Sequence, residues 1–498
     1  MTSGAVGPLG ATLRKGAVLS AAALVLVQVL SFVQTVLLAR LLSPTEIGLY
    51  AAGTVIAGFL ANFSEGGLGG AVVQREGELD RAAETAFWAN VITGVLMASA
   101  VVAASGFIGE FFRSDVVGLI AAISAGTLFL HALTHVPDAL MQRRFNFKRR
   151  LILDPGTVLT FATVSVTLAA LGYGVWSMVI ASYASQFVWV ACSFGLSGWR
   201  PGRHRPSYRI WRELARFAFP LVLEAVGERT REVAETALVG RSMNEAALGN
   251  YRYGQRLSKL PGLAIVQVGS YVLFPAFSRI AGDTDRLRIA FLRALRWIWL
   301  AAVPVAVLAV ALGIPAVVLL LGEEWRGAGV ALVAMSGYGV GVALQAVAGE
   351  TLKGIGRTQL LNWVTGVDLV FGIGLLVLLL PLGLVGVGLA ITVAALAGGT
   401  VTLVLAVRAI AMPWGAVLGV LWPPVVAAVI PGVLLWLLEH SVVHADLDGA
   451  LGGILELVAE VGLFSVLYLV GIRVLAPSSF SVISSTALRL LRRVRRAS

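Results

Sequence analysis

Long apolar stretches separated by short polar breaks recur from one end of this chain to the other. A helix needs ~20 consecutive apolar residues to cross a bilayer. Fourteen stretches meet that length, at about 16–39, 47–72, 83–106, 115–138, 151–171, 174–196, 214–239, 246–275, 288–312, 327–350, 359–381, 383–407, 413–438 and 450–475. A further stretch, Ile314–Leu321, is too short to span, and either finishes the ninth helix or re-enters. The pattern predicts an all-α integral membrane protein with about 14 transmembrane helices. Its loops are too short to hold a catalytic domain outside the membrane.

Polar positions sharpen that picture because their charge alternates. One set of loops holds Arg75, Arg81, Arg143–Arg150, Arg200–Arg212, Arg279–Arg296, Lys353, Arg357, Arg408 and the tail Arg489–Arg496. The opposite set holds Arg40, Arg113, Arg241 and Arg326 beside Glu110, Glu323, Glu324, Asp446 and Asp448. Cytoplasmic loops carry the excess of Lys and Arg, so both termini are expected in the cytoplasm and the number of spans is even. The net charge of +11 is explained in the same way, and nucleic acid is not an expected partner. Only 13% of residues are charged, about half the share of a soluble domain. Arg14 and Lys15 precede an apolar stretch without a small-residue cleavage site, which predicts a first transmembrane helix rather than a removed signal peptide. A single cysteine, Cys192, rules out an internal disulfide.

The chain also echoes itself. Leu38-Ala-Arg40 with Ile47-Gly-Leu-Tyr50 returns as Val239-Gly-Arg241 with Leu248-Gly-Asn-Tyr251, 201 residues later. Leu171-Gly172 and Ile180 return as Leu382-Gly383 and Ile391, 211 residues later. An even number of spans per copy makes the copies parallel repeats. The expected domains are therefore a six-helix bundle over 1–198, a second over 199–408, and two extra helices with a basic tail over 409–498. Two such bundles predict a V-shaped transporter with its site where they meet.

The stretch from Glu213 to Leu260 holds charges that no lipid-facing helix tolerates. Glu224, Glu228, Arg231 and Glu235 fall in one stripe roughly 60° wide at ~100° per residue. Arg252, Arg256 and Lys259 form a second stripe. Folded about a turn near Arg241–Gly249, the pattern sets Glu235 level with Arg252, Arg231 with Arg256, and Glu228 with Lys259. The Arg–Arg level suits an anionic ligand better than the protein alone. Charges at membrane depth cost at least ~2.5–3.5 kcal/mol each and face a bundle interior or a wet cavity. These seven residues are the expected substrate site; the alternative is that the bases merely neutralise the acids.

Glu65 and Asp368 are intramembrane acids with no sequence-local partner. They are the candidates for coupling to a proton or sodium gradient, against buried pairing with an arginine. His131 and His135 lie one turn apart without the Glu of a zinc-peptidase helix, so no metal is expected. Gly372/Gly374 and Gly386/Gly388 sit in apolar helices and serve packing or bending rather than nucleotide binding. No Walker loop and no catalytic triad order is present, so neither an enzyme nor a cofactor is expected. The basic tail is expected on anionic lipid headgroups.

Three segments carry a resemblance: Leu37–Tyr50, Phe63–Gln74 and Leu140–Arg150. They resemble the polysaccharide transporters of the multidrug/oligosaccharidyl-lipid/polysaccharide exporter superfamily, of the colanic-acid and teichuronic-acid export type. The charged Glu224–Glu235 segment departs from that pattern. The resemblance implies a flippase in the bacterial cytoplasmic membrane. It would carry a polyprenyl-diphosphate-linked oligosaccharide to the outer leaflet by alternating access, alongside membrane lipids, a polysaccharide polymerase and glycosyltransferases. A lipid II-type precursor flippase and a cation-coupled multidrug antiporter of the same superfamily stand as alternatives.

Overall fold

The computed structural model describes residues 26–65, 67–75, 77–143, 147–268, 273–447, 449–477 and 480. The described residues are helical and contain no strand, as an apolar chain must be where the backbone cannot bond to water. The chain divides into two compact units, Met1–Gly249 and Asn250–Ser498.

The first unit holds α1 (Leu26–Leu41), α2 (Pro44–Glu65), α3 (Leu68–Gln74), α4 (Leu79–Phe112), α5 (Asp115–Ser124), α6 (Gly126–Arg143), α7 (Phe147–Ala170), α8 (Trp176–Ser197) and α9 (Tyr208–Ser242). The second holds most of α10 (Glu245–Val268), then α11 (Phe274–Arg279), α12 (Thr284–Leu321), α13 (Arg326–Ala334), α14 (Tyr338–Gly354), α15 (Gln359–Leu379), α16 (Gly383–Ala409), α17 (Trp414–Leu438) and α18 (Ala450–Leu475). Each of the fourteen expected stretches meets one helix or a broken pair of these. Among the described residues nine segments pass as spans on length and apolarity alone, or ten if the pair bent by 41° ahead of Gly354 is one span. α15 and α16 run together in that count, α1 is short over its described part, and α9 and α10 are too charged to pass. Ile314–Leu321 finishes the ninth span, because α12 continues without a break to Leu321.

The division differs from the expected cut after residue 198. α9 lies in the first unit because it packs on α2, α3 and α4. Gly240 is what lets it approach: a Cβ there would come within 2.6 Å of the Phe112 ring. α17 and α18 are not separate either. Trp299 Nε1 donates to Leu421 O at 2.8 Å and Tyr468 Oη to Leu300 O at 2.9 Å, which fastens both helices to α12.

Loops expected on one side of the membrane do meet their own kind. In the first unit Arg75 pairs with Glu213 at 2.9 Å and Arg209 with Glu78 at 3.6 Å. Arg143 Nη1 donates to the carbonyls of Val72 and Val73 at 3.1 and 3.0 Å and to that of Arg75, closing the C-terminus of α3. In the second unit Arg288 donates to Ile410 O and Ala411 O at 2.9 and 2.7 Å. The span parity is therefore consistent within each unit. Arg144–Arg150 and the tail Arg489–Arg496 fall outside the described residues or side chains.

The opposite ends are tied too. Arg326 holds Glu323 at 2.6 and 3.0 Å and Asp446 at 2.5 Å, joining the turn after α12 to the loop before α18. Its guanidinium, hydrogen-bonded to Glu323, keeps that carboxyl below the ordinary carboxylate range. A depressed folded value gives stability that is full above the unfolded pKa and is lost as pH falls through the folded one. Glu323 is well exposed, so the effect is no more than ~0.5–1 kcal/mol. Melting temperature against pH should fall on the acid side by about a degree less in Glu323→Gln than in wild type; parallel curves would remove this contribution.

The sequence echo has a structural meaning. Ser43 caps α2 in a capping box: its N–H and Oγ reach Glu46 Oε2 at 2.8 and 2.9 Å. Asn244 Oδ1 accepts from Ala247 N at 2.7 Å and caps α10 in the same place. Five residues further on stand Gly48 and Gly249, each aligned with the other in the repeat, and their helices' first turns cross within the first unit. Gly172 and Gly383, the other matched pair, both take positive φ (84° and 69°) at the turn before a helix, where a Cβ is penalised. Gly386 and Gly388 serve close packing, since a Cβ at either would overlap Leu379 O or Ala334 Cβ. Gly374 has open space around it.

Candidate functional site

α10 carries the site, and its two faces differ. Tyr251, Gly254, Gln255, Ser258 and Gly262 are buried on one face. A Cβ on Gly254 would fall 2.6 Å from Ala331 Cβ, so this face lies directly on α13. Gln255 donates to Tyr251 Oη at 2.6 Å, and Ser258 Oγ donates to Gln255 O at 3.0 Å, so the polar groups on the packed face satisfy one another. Tyr253 stacks on the buried Trp325 with ring centroids 4.2 Å apart. These contacts fix the rotation of α10 about its axis.

With that rotation fixed, Arg252, Arg256 and Lys259 occupy a stripe about 100° round the helix from the packed face. Arg256 is exposed; Arg252 and Lys259 are half-buried. Lys259 Nζ sits 6.0 Å from the centre of the Tyr338 ring. Arg256 is eleven residues into α10, ~16 Å from its start, about half the thickness of the hydrocarbon layer. A guanidinium turned to acyl chains at that depth would be costly. Two guanidinium forks and one ammonium within two helical turns can grip a diphosphate, Arg through paired N–H donors and Lys as a mobile charge.

Across the expected ladder, α9 stands in the other unit, and each side is described by itself. Arg231 Nε donates to Glu235 Oε1 at 2.9 Å on its own helix. Glu235 is 5% exposed, so this pair is a largely buried one, with its own acid supplied at i+4. The Arg231 charge, expected to stand in surplus opposite Arg256, is thus balanced along α9. Glu224 and Glu228 lie on α9, but their side chains are outside the described set, as is that of Glu65 at the end of α2. Asp368 on α15 faces α16: a Cβ on Gly398 would stand 3.3 Å from its Oδ1. That carboxyl is half-buried beside α16.

Several intramembrane polar residues escaped the sequence reading. Asp138 on α6 accepts from Trp189 Nε1 at 2.8 Å and Ser193 Oγ at 2.7 Å on α8. The same Trp189 packs against His131, which stacks edge to face on His135 at 4.7 Å; these two histidines were already singled out in the sequence. Glu439, Glu456 and Glu460 lie on the last two spans and the turn between them, and Glu439 and Glu460 are buried. The i, i+4 acids inside the apolar stretch 450–475 were a legible signal for the last group.

Helices that bury polar groups inward and expose a cationic stripe at mid-depth define a polytopic helical carrier. Its fold is that of two groups of solved transporters. The lipid II flippase MurJ in an inward closed conformation aligns over 93% of this chain and 99% of its own, with a TM-score of 0.76 and 14% identity. An inward-facing multidrug resistance MATE family transporter of the MOP superfamily covers 77% of this chain and 94% of its own, with a TM-score of 0.64 and 16% identity.

The chain belongs to the polysaccharide biosynthesis protein family, whose pattern matches residues 37–329. Among its relatives are the succinoglycan biosynthesis transport protein ExoT of Rhizobium meliloti, 25% identical over 67% of each chain. The lipopolysaccharide biosynthesis protein WzxC of Escherichia coli is 26% identical over 62% of this chain and 63% of its own. The teichuronic acid biosynthesis protein TuaB of Bacillus subtilis is 23% identical over 70% and 73%. The matches thus span roughly two thirds of these relatives, and their names point to envelope polysaccharides.

Proposed function

We propose that this chain is a flippase. It moves a polyprenyl-diphosphate-linked oligosaccharide from the inner to the outer leaflet of the cytoplasmic membrane by alternating access, for cell-surface polysaccharide assembly. The observation that carries this reading is Arg256, exposed about halfway along α10 between Arg252 and Lys259, about 100° round the helix from a face committed to packing. A diphosphate is an anion that such a stripe can grip through paired N–H donors and a mobile ammonium, while the prenyl tail stays in lipid. Family membership and the names of ExoT, WzxC and TuaB support a polysaccharide precursor as cargo. Both termini lie in the cytoplasm on this reading, with the Arg-rich loops. Glu65 and Asp368 remain the candidate acids for coupling to a proton or sodium gradient.

The MurJ fold favours one further reading, a lipid II-type precursor, because the same diphosphate would meet the same stripe. A drug antiporter is disfavoured by chemistry, since a cationic drug would be repelled there.

Reconstitution into proteoliposomes separates these readings. With a fluorescent polyprenyl-diphosphate oligosaccharide, lipid II and ethidium offered in turn, the first should become accessible to external quencher in minutes, and ethidium should not move. Transport of ethidium alone would overturn the reading, and preference for lipid II would replace the cargo.

A further inference from the structure

The last two spans hold a carboxyl pair that the proposed transport of a phosphorylated cargo does not use. α18 packs through a stripe at Gly453, Glu460, Phe464, Tyr468 and Ile472. Phe464 and Ile472 are fully buried, and Gly453 lies on Ala445 and Leu319. Within this otherwise apolar seam Glu460 is 4% exposed, ten residues into α18 and so ~15 Å along it. Glu439, 3% exposed, sits at the far end of α17 on a π turn, its Oε1 accepting from Ala445 N at 3.0 Å. The two carboxyl groups lie within hydrogen-bonding reach of one another, and Glu456 stands near enough to add its charge.

Neither oxygen of Glu460, nor Oε2 of Glu439, has a donor among the described residues. Two ionised carboxylates cannot satisfy one another, since neither brings a hydrogen. One proton between them creates the missing bond and removes a buried like-charge pair, as in other carboxyl dyads that share a proton. Among the described residues the surroundings supply no fixed cation to do this instead. α17 has no titratable side chain, and α12 has none between Trp297 and Leu321. On the connecting turn, His440 and His444 act on Glu439 from a distance, as does Asp446 with opposite sign. Arg326 is already bound to Asp446 and Glu323. Asp448 lies outside the described residues.

We propose that Glu439 and Glu460 form a proton-binding site in the α17–α18 pair, with one proton held between the two carboxyl groups and Glu456 as third acid. Loss of that proton leaves like charges in the seam, so occupancy controls how tightly α17 and the end of α18 nearest Ala450 stay packed. The site stands whatever the cargo.

Infrared difference spectra of the full chain in nanodiscs, taken as pH is stepped, read the proton directly. Wild type should show a protonated-carboxyl C=O band at neutral pH that titrates away at higher pH and ignores sodium concentration. Glu460→Gln should abolish it, and Glu439→Gln should move its titration; the exposed Glu110→Gln should leave it alone. If Glu460→Gln is not recovered folded, Glu439→Gln decides by itself. A band unchanged in Glu439→Gln, or one lost on adding sodium at constant pH, would overturn the site as a proton site.

Discussion

Gly48→Ala and Gly249→Ala should each lose most of the folded protein, although each adds only one methyl group. A Cβ at residue 48 would overlap Glu245 O and stand 2.6 Å from its carbonyl carbon. A Cβ at residue 249 would overlap Pro44 O and stand 2.7 Å from its carbonyl carbon and 3.1 Å from Gly48 N. No flexible side chain is available to move aside; the obstacles are backbone. Overpacking costs ~1–3 kcal/mol where side chains can adjust, and more where a helix must shift. Here the shift would also pull on the Ser43–Glu46 box and the Asn244 cap at the same crossing. A melting temperature lower by ten degrees or more, or failure to elute as a single species in detergent, is the expected readout. Gly58→Ala is the control, since its added carbon meets nothing within 4 Å and replaces a helix-interior glycine. It should gain ~0.5–1 kcal/mol. If Gly48→Ala melts with wild type, the close crossing does not exist.

That crossing also shows what the sequence could and could not reveal. Spans were legible because bilayer thickness imposes their length, and loop polarity supplied an independent check that Arg75–Glu213 and Arg288–Ile410 now satisfy within their units. The repeat was legible as Gly48/Gly249 and Gly172/Gly383, but its reason was not: one pair permits backbone contact and the other a positive φ. Hydropathy is blind to both. It is equally blind to breaks inside a span, such as those at Ala125 between α5 and α6 and at Met335–Gly337 between α13 and α14. The place of α9 in the first unit follows from lateral packing on α2, α3 and α4, which an apolar pattern does not encode. At the site, the basic stripe of α10 was readable from the 4, 3 spacing of Arg252, Arg256 and Lys259. The same-helix partner of Arg231 was readable too, as Glu235 at i+4.

Arg256→Ala should leave the fold intact and remove transport. Arg256 is exposed, while the packed face of α10 is held by Tyr251, Gly254, Gln255 and Ser258, none of which it replaces. Stability should therefore stay within ~0.5 kcal/mol of wild type. A charge-assisted contact to a diphosphate contributes ~1.5–3 kcal/mol, so its loss should slow translocation about 10- to 100-fold in proteoliposomes. Arg256→Lys keeps the charge but not the planar fork and should fall between the two. Arg256→Glu should be inactive and still fold, because the side chain is exposed and outside the packed face of α10. Raising salt should weaken wild-type cargo binding and have less effect on Arg256→Ala. A different result is required if the stripe only balances acids: Arg256→Ala would then lose stability and keep transport. Wild-type flipping rates in a stably folded Arg256→Ala would falsify the ligand role.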